Sequence, residues 1–215
     1  IDAITTTGNI TVGGVITATS FNGIPFFSGD TGSIYTHDVS ATDSTATYNT
    51  AYGIAAMDAI TTGDHNVAIG ADALSGAADG ENNTAIGSSA LYSVTSGDGN
   101  VAIGRQAGDA LTTGSHSVAI GMSALSTEDA GTGAIAIGYQ ALQDQDGGDT
   151  FNVAVGYRAG RNVTTGTNNI LIGASAGDTL TTGHYNVAIG HQALKTEDAH
   201  GRNIAIGHQA LETLD

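Results

Sequence analysis

Residues 100–107 read Asn100-Val101-Ala102-Ile103-Gly104-Arg105-Gln106-Ala107, and seventeen residues later the phrase returns as Ser117-Val118-Ala119-Ile120-Gly121-Met122-Ser123-Ala124. Followed in both directions, its glycine recurs at Gly53, Gly70, Gly87, Gly104, Gly121, Gly138, Gly156, Gly173, Gly190 and Gly207. Every step is seventeen residues except Gly138 to Gly156, which is eighteen; the extra residue falls in the loop Asp144-Gln145-Asp146-Gly147-Gly148-Asp149. A fixed period of this length marks a solenoid, in which repeats stack and each sequence column becomes a line of residues parallel to the axis.

Three positions before the glycine stand Thr50, Val67, Thr84, Val101, Val118, Ile135, Val153, Ile170, Val187 and Ile204; one before it, Tyr52, Ile69, Ile86, Ile103, Ile120, Ile137, Val155, Ile172, Ile189 and Ile206. Alanine lies between them in every repeat but the one with Leu171. The order has the period of a strand, so the β-branched residues share one face and the alanines the other. With both faces packed, the alanine face is read as the one that lets a neighbouring chain approach. A second alanine column, three after the glycine, runs without exception from Ala56 to Ala210 and marks a place with no room for a larger group. Four before the glycine the residue is asparagine, with Ser117 and Ala134 departing. Asparagine tolerates left-handed backbone and bonds neighbouring main chain, so this column is expected at a corner, stacked into an amide ladder. The glycines are assigned to the next corner, where φ is positive or two backbones pass closely.

The rest of each coil takes two forms. One is an aliphatic anchor and a turn, as in Ile60-Thr61-Thr62-Gly63 or Leu111-Thr112-Thr113-Gly114; the other is an acidic loop after Ala-Leu, as in Leu125-Ser126-Thr127-Glu128-Asp129-Ala130-Gly131, read as the freer surface. The few aliphatic groups that a single coil buries do not offset the conformational entropy lost in ordering it, so a coil depends on neighbours above, below and beside it.

Composition agrees. The 215 residues include 32 glycines, one proline and neither cysteine nor tryptophan, so the core must be built from small side chains. Without cysteine there are no disulfides and no thiol chemistry. A net charge of −16 argues against nucleic acid and anionic membrane as partners, and no apolar run approaches the roughly 20 residues that span a bilayer, so the segment is expected to be soluble. It starts at Ile1 with neither methionine nor a secretory signal pattern, as a processed chain or a fragment would.

The units Asn66-Val67-Ala68-Ile69-Gly70, Asn100-Val101-Ala102-Ile103-Gly104 and Asn186-Val187-Ala188-Ile189-Gly190, each followed three residues later by alanine, resemble the head repeats of YadA-type trimeric autotransporter adhesins. The same repeat type occurs in tail-fibre proteins of bacteriophages, including those of marine cyanobacteria. The resemblance covers about residues 46–211. It implies an all-β fold, a left-handed parallel β-roll of about ten coils, with three identical chains around a common axis. Residues 46–215 form the roll on this reading, and residues 1–45 a short β shaft and neck. Within the latter, residues 8–23 read as two alternating strands around a glycine turn, and Pro25-Phe26-Phe27 as the neck. The phrase Val15-Ile16-Thr17-Ala18-Thr19-Ser20-Phe21-Asn22-Gly23 is similar to segments of cyanophage structural proteins, which favours a phage fibre over a bacterial adhesin.

What the resemblance implies is a structural virion protein without catalytic activity: a rigid trimeric spacer of a tail fibre that also adheres to the host surface. Its partners would be its own copies, other fibre or baseplate proteins, and a host glycan or protein. The alternative is the head of a bacterial trimeric autotransporter adhesin, located at the cell surface. An enzyme reading, a capsule polysaccharide depolymerase, needs a fixed carboxylate pair in a groove between subunits.

Motifs for catalysis are missing, with no phosphate loop, no GxSxG elbow and no zinc-spaced histidine pair on a helix. Asp144, Asp146 and Asp149 offer oxygens at alternate positions, as calcium sites do, but Val155 stands where the bidentate glutamate would be. This loop is therefore read first as an acidic insertion, and no cofactor is assigned. Receptor-contact candidates come from the two variable columns. Tyr139, Tyr157, His191 and His208 follow the glycine directly, while Phe151 and Tyr185 stand five before it. Stacking of adjacent coils is expected to gather Tyr139 with Tyr157 and His191 with His208, giving flat amphipathic rings for sugar or protein contact, or a cover for the edge of a narrow roll.

Overall fold

A computed structural model of the chain describes residues 45–77, 79–196 and 201–212, together with the backbone of two strands nearer the N-terminus, β1 (Phe27–Ser28) and β2 (Ile34–Tyr35). The expected strands at residues 8–23 and the neck residues Pro25 and Phe26 lie outside this set. From residue 50 onward each repeat contributes one three-residue strand: β3 (Thr50–Tyr52), β4 (Val67–Ile69), β5 (Thr84–Ile86), β6 (Val101–Ile103), β7 (Val118–Ile120), β8 (Ile135–Ile137), β9 (Val153–Val155), β10 (Ile170–Ile172), β11 (Val187–Ile189) and β12 (Ile204–Ile206). These ten pair in parallel and in sequence order, making a β-solenoid with one coil per repeat and no helix among the described residues. β2 extends the parallel sheet beside β3, and β1 folds back antiparallel on β2. Register is kept across the long coil, with Ala136 opposite Ala154, so the extra residue is absorbed entirely in the loop.

The backbone turns through left-handed residues. Each coil carries them five before, two after and four after the repeat glycine; around Gly121 these are His116 at φ 57°, Ser123 at 55° and Leu125 at 52°. A non-glycine residue in this region is strained by about 1–2 kcal/mol, so the coil is held by its neighbours and not by local preference. Those neighbours bond along the axis in both directions: Gly104 N–H donates to the Ile86 carbonyl (2.7 Å) and Val101 N–H to the Ser117 carbonyl (2.9 Å). The repeat glycine needs both freedoms attributed to it. Gly104 has φ +132°, and a Cβ there would lie 2.7 Å from the carbonyl carbon of Gly121 on the next coil.

Asparagine does form a ladder, with one adjustment: the left-handed residue is its predecessor in sequence. Asn83 Oδ1 accepts from the backbone N–H of Asn100 (2.9 Å), while Asn83 Nδ2 donates across the coil to the Gly97 carbonyl (2.8 Å). The pattern repeats along the roll and leaves these amides fully buried.

The two strand faces are the reverse of the expectation. Alanine points into the coil: Ala68, Ala85, Ala102, Ala136, Ala154 and Ala188 are all fully buried within a single chain. The β-branched residues point outward, and Ile69, Ile103 and Ile172 remain 38–40% exposed. The reason is what lies opposite the strand. The left-handed residue four after the glycine sends Leu74, Leu91, Leu125, Leu142 or Leu194 into the interior, and that space then admits only a methyl from the strand. Leu171 fits this account. It is completely buried, and Gly160 and Gly177 occupy the corner positions around it, where a Cβ would come within 2.6 and 2.8 Å of its methyls. The second alanine column is buried as expected, from Ala56 to Ala193.

Candidate functional site

Because side chains alternate along the strand, positions five, three and one before the glycine and one after it all face outward. The result is one continuous face per chain: two central columns of Val and Ile, flanked on both sides by the variable columns that hold the ring candidates.

The rings meet as the coil spacing dictates. Tyr139 stacks on Tyr157 with centroids 5.3 Å apart and planes 18° from parallel, and His191 stacks on His208 at 5.2 Å and 15°. Arg158 adds its guanidinium 5.1 Å from the Tyr157 centroid and 6.0 Å from that of Tyr139, and its Nε donates to Gln140 Oε1 (3.1 Å). The opposite flank holds a pair not anticipated, Tyr48 on His65 at 4.9 Å. There too Arg202 reaches to 5.8 Å from the ring of Tyr185, and His184 lies tilted by 52° to that ring with centroids 6.4 Å apart. Phe151 lies back over the preceding coil at Gly133, where a Cβ would come within 2.8 Å of the ring. Glycine at that place makes room for the phenyl, so the ring both covers an edge and stays 53% exposed. Phe151 and Tyr185 are therefore on a different flank from Tyr139, Tyr157, His191 and His208, and the six candidates form separate small clusters.

The proposed calcium ligands do not converge. Asp146 and Asp149 are exposed, Asp144 is half-buried, and among the described residues no three acidic or histidine side chains come together. Elsewhere the surface carboxylates are held by ordinary polar contacts. Hydroxyls of Thr62 (2.7 Å) and Thr61 (2.9 Å) both donate to Asp79 Oδ1 and hold its titration below the usual carboxylate value. Burial raises that of Asp109, with the Arg105 charge and the backbone opposing. Arg161 pairs with Asp178 across one coil step at 3.3 Å.

One acidic loop residue departs from the surface role assigned to it. Glu128 is completely buried, seven positions after its glycine, in an interior column that among the described residues also holds Ile60, Ala77, Val94, Leu111, Val163 and Leu180; Glu197, at the same place in its own repeat, lies outside the described residues. Gln145, the next member of that column, is buried with it and donates from Nε2 to Glu128 Oε2 (2.8 Å). Aligning this column would have exposed both. The grouping of Glu128 with its acidic neighbours concealed them.

No helix of the described residues is long and apolar enough to cross a membrane. Comparison with protein-family models, curated proteins and solved structures returns no match to this chain.

Proposed function

We propose that this chain is a segment of a virion tail fibre: a rigid, homotrimeric spacer, wound left-handed around a common axis, that also adheres to the host surface. The observation that carries the proposal is the outward column of β-branched side chains running unbroken from Val67 to Ile206 on a roll whose own interior is already full. Across its nine coils the stripe leaves Ile69, Ile86, Ile103 and Ile172 36–40% exposed, a contiguous apolar face of the kind that marks an interaction surface. A ring of three closes through heterologous contacts, the stripe of each chain facing the next around the axis, and so hides it from water. Hence the lateral contact falls to the β-branched face, not to the alanines. The rings at its flanks stay at the outer rim, where three weak contacts act together on a host glycan or protein.

Antibodies raised against the chain, used with gold labelling in electron microscopy, distinguish the readings. Label along virion fibres supports the proposal. Label confined to bacterial cell surfaces supports the autotransporter adhesin instead, and shortening of host polysaccharide by the purified chain would support the depolymerase.

A further inference from the structure

The asparagine ladder is interrupted once. Between Asn100 and Asn152 its place is taken by Ser117 and Ala134, both buried and neither able to bridge the coil as asparagine does. Glu128 and Gln145 fill the gap from the other side of the interior. Glu128 Oε1 accepts from Gly131 N–H (2.8 Å), its Oε2 accepts from Gln145, and Gln145 Oε1 accepts from Asn152 Nδ2 (2.8 Å), where the ladder resumes. Gly131 is fitted to this arrangement, because a Cβ there would collide with the Glu128 carboxyl. The network joins the coil of Gly121 to the eighteen-residue coil, whose inserted loop supplies Gln145, so three irregularities of the repeat coincide within one stretch of the axis.

A carboxyl here has no cation to balance it. In its own column it lies between Leu111 of the coil before and Gln145 of the coil after, and the charged group acting on it is Asp146, a like charge. Asp129, its neighbour in sequence, is exposed and accepts from the Thr112 hydroxyl, and His116 lies on the outer face. Removal from water therefore outweighs the hydrogen bonds of Gln145, Gly131 and Gly148 and raises the titration of Glu128 above the ordinary glutamate value of 4.5.

We propose that the Glu128–Gln145 network is a pH-sensitive weak point in the roll, closing the coils around Gly121 to Gly156 while Glu128 carries a proton and loosening them when it ionises. This rests on the interior of one chain and does not depend on the fibre reading. For an acid whose proton is held more tightly in the folded state, the associated stability is complete below the unfolded value. It is lost as pH rises through the folded value. Amide exchange of the full chain between pH 4 and 8, corrected for intrinsic exchange, reads this locally. Protection across residues 125–150 should fall about tenfold for each unit by which folding raises the affinity for the proton, while residues 166–190 stay level. Glu128→Gln should remove the fall, and Asp146→Asn should reduce it. An equal response in both segments, or a fall that persists in Glu128→Gln, overturns the proposal. Should that variant not fold, carbon NMR of the wild-type carboxyl decides: a Glu128 midpoint at or below that of Glu81 overturns it equally.

Discussion

Gly104→Ala should damage the roll far more than Gly99→Asn, although both sites are glycines with positive φ on the same coil. At Gly104, φ +132° is a region that side chains avoid, costing about 1–3 kcal/mol. The new methyl would also sit 2.7 Å from the Gly121 carbonyl carbon and 3.1 Å from the Met122 nitrogen, both backbone atoms of a coil pinned by its own hydrogen bonds. Overpacking of that kind adds about 1–3 kcal/mol, for a total near 4 kcal/mol. Gly99 has φ +66°, the conformation that His65, Asn82, His116 and Asn168 adopt in the same column, and its Cβ would meet only the edge of the His116 ring at 3.2 Å. Asparagine there should cost under about 1 kcal/mol. Thermal melts followed by circular dichroism test this, since about 1 kcal/mol moves the midpoint of a domain this size by roughly 2–4 °C. Gly104→Ala should therefore lose roughly 8–16 °C and Gly99→Asn no more than a few. Equal losses would show that the repeat glycine is not kept by the close approach of the next coil.

Three other outcomes follow from the geometry. Leu171→Ala leaves a cavity between Gly160 and Gly177 and should cost about 2–5 kcal/mol by chemical denaturation, and the double variant Leu171→Ala with Gly177→Leu, which restores the usual pairing of small strand residue and large corner residue, should recover most of it. Asn100→Ala removes the acceptor for Ser117 N–H (3.0 Å) and the donor to the Gly114 carbonyl (2.8 Å), so it should cost about 2–4 kcal/mol, measured in the same way. Thr62→Val takes away the stronger of two hydroxyl bonds to Asp79, and NMR titration should find its carboxyl moved up towards 3.8, with Thr61→Val a smaller step in the same direction.

Much of this fold is legible in the sequence, because a solenoid writes its third dimension into the period. The strand residues, their parallel register, the buried second alanine column and the stacked pairs Tyr139 with Tyr157 and His191 with His208 all follow once coils are aligned. The orientation of the strand does not. Val101-Ala102-Ile103 has one large and one small face in either sense, and the choice is made by Leu91 and Leu125, which enter the interior from left-handed positions that no propensity rule assigns to leucine. Glu128 escaped for a related reason. Its composition belongs to an acidic loop, but its column belongs to the core.

The mass of the assembled particle in solution, measured by light scattering, bears most directly on the central claim that the β-branched face joins three chains. Three copies of a 21.3 kDa chain give about 64 kDa, and Ile103→Asp with Ile120→Asp should reduce that towards 21.3 kDa while leaving the strand signal in circular dichroism intact. A wild-type chain that stays at 21.3 kDa at micromolar concentration would contradict the claim, as would an aspartate pair that leaves the trimer unchanged.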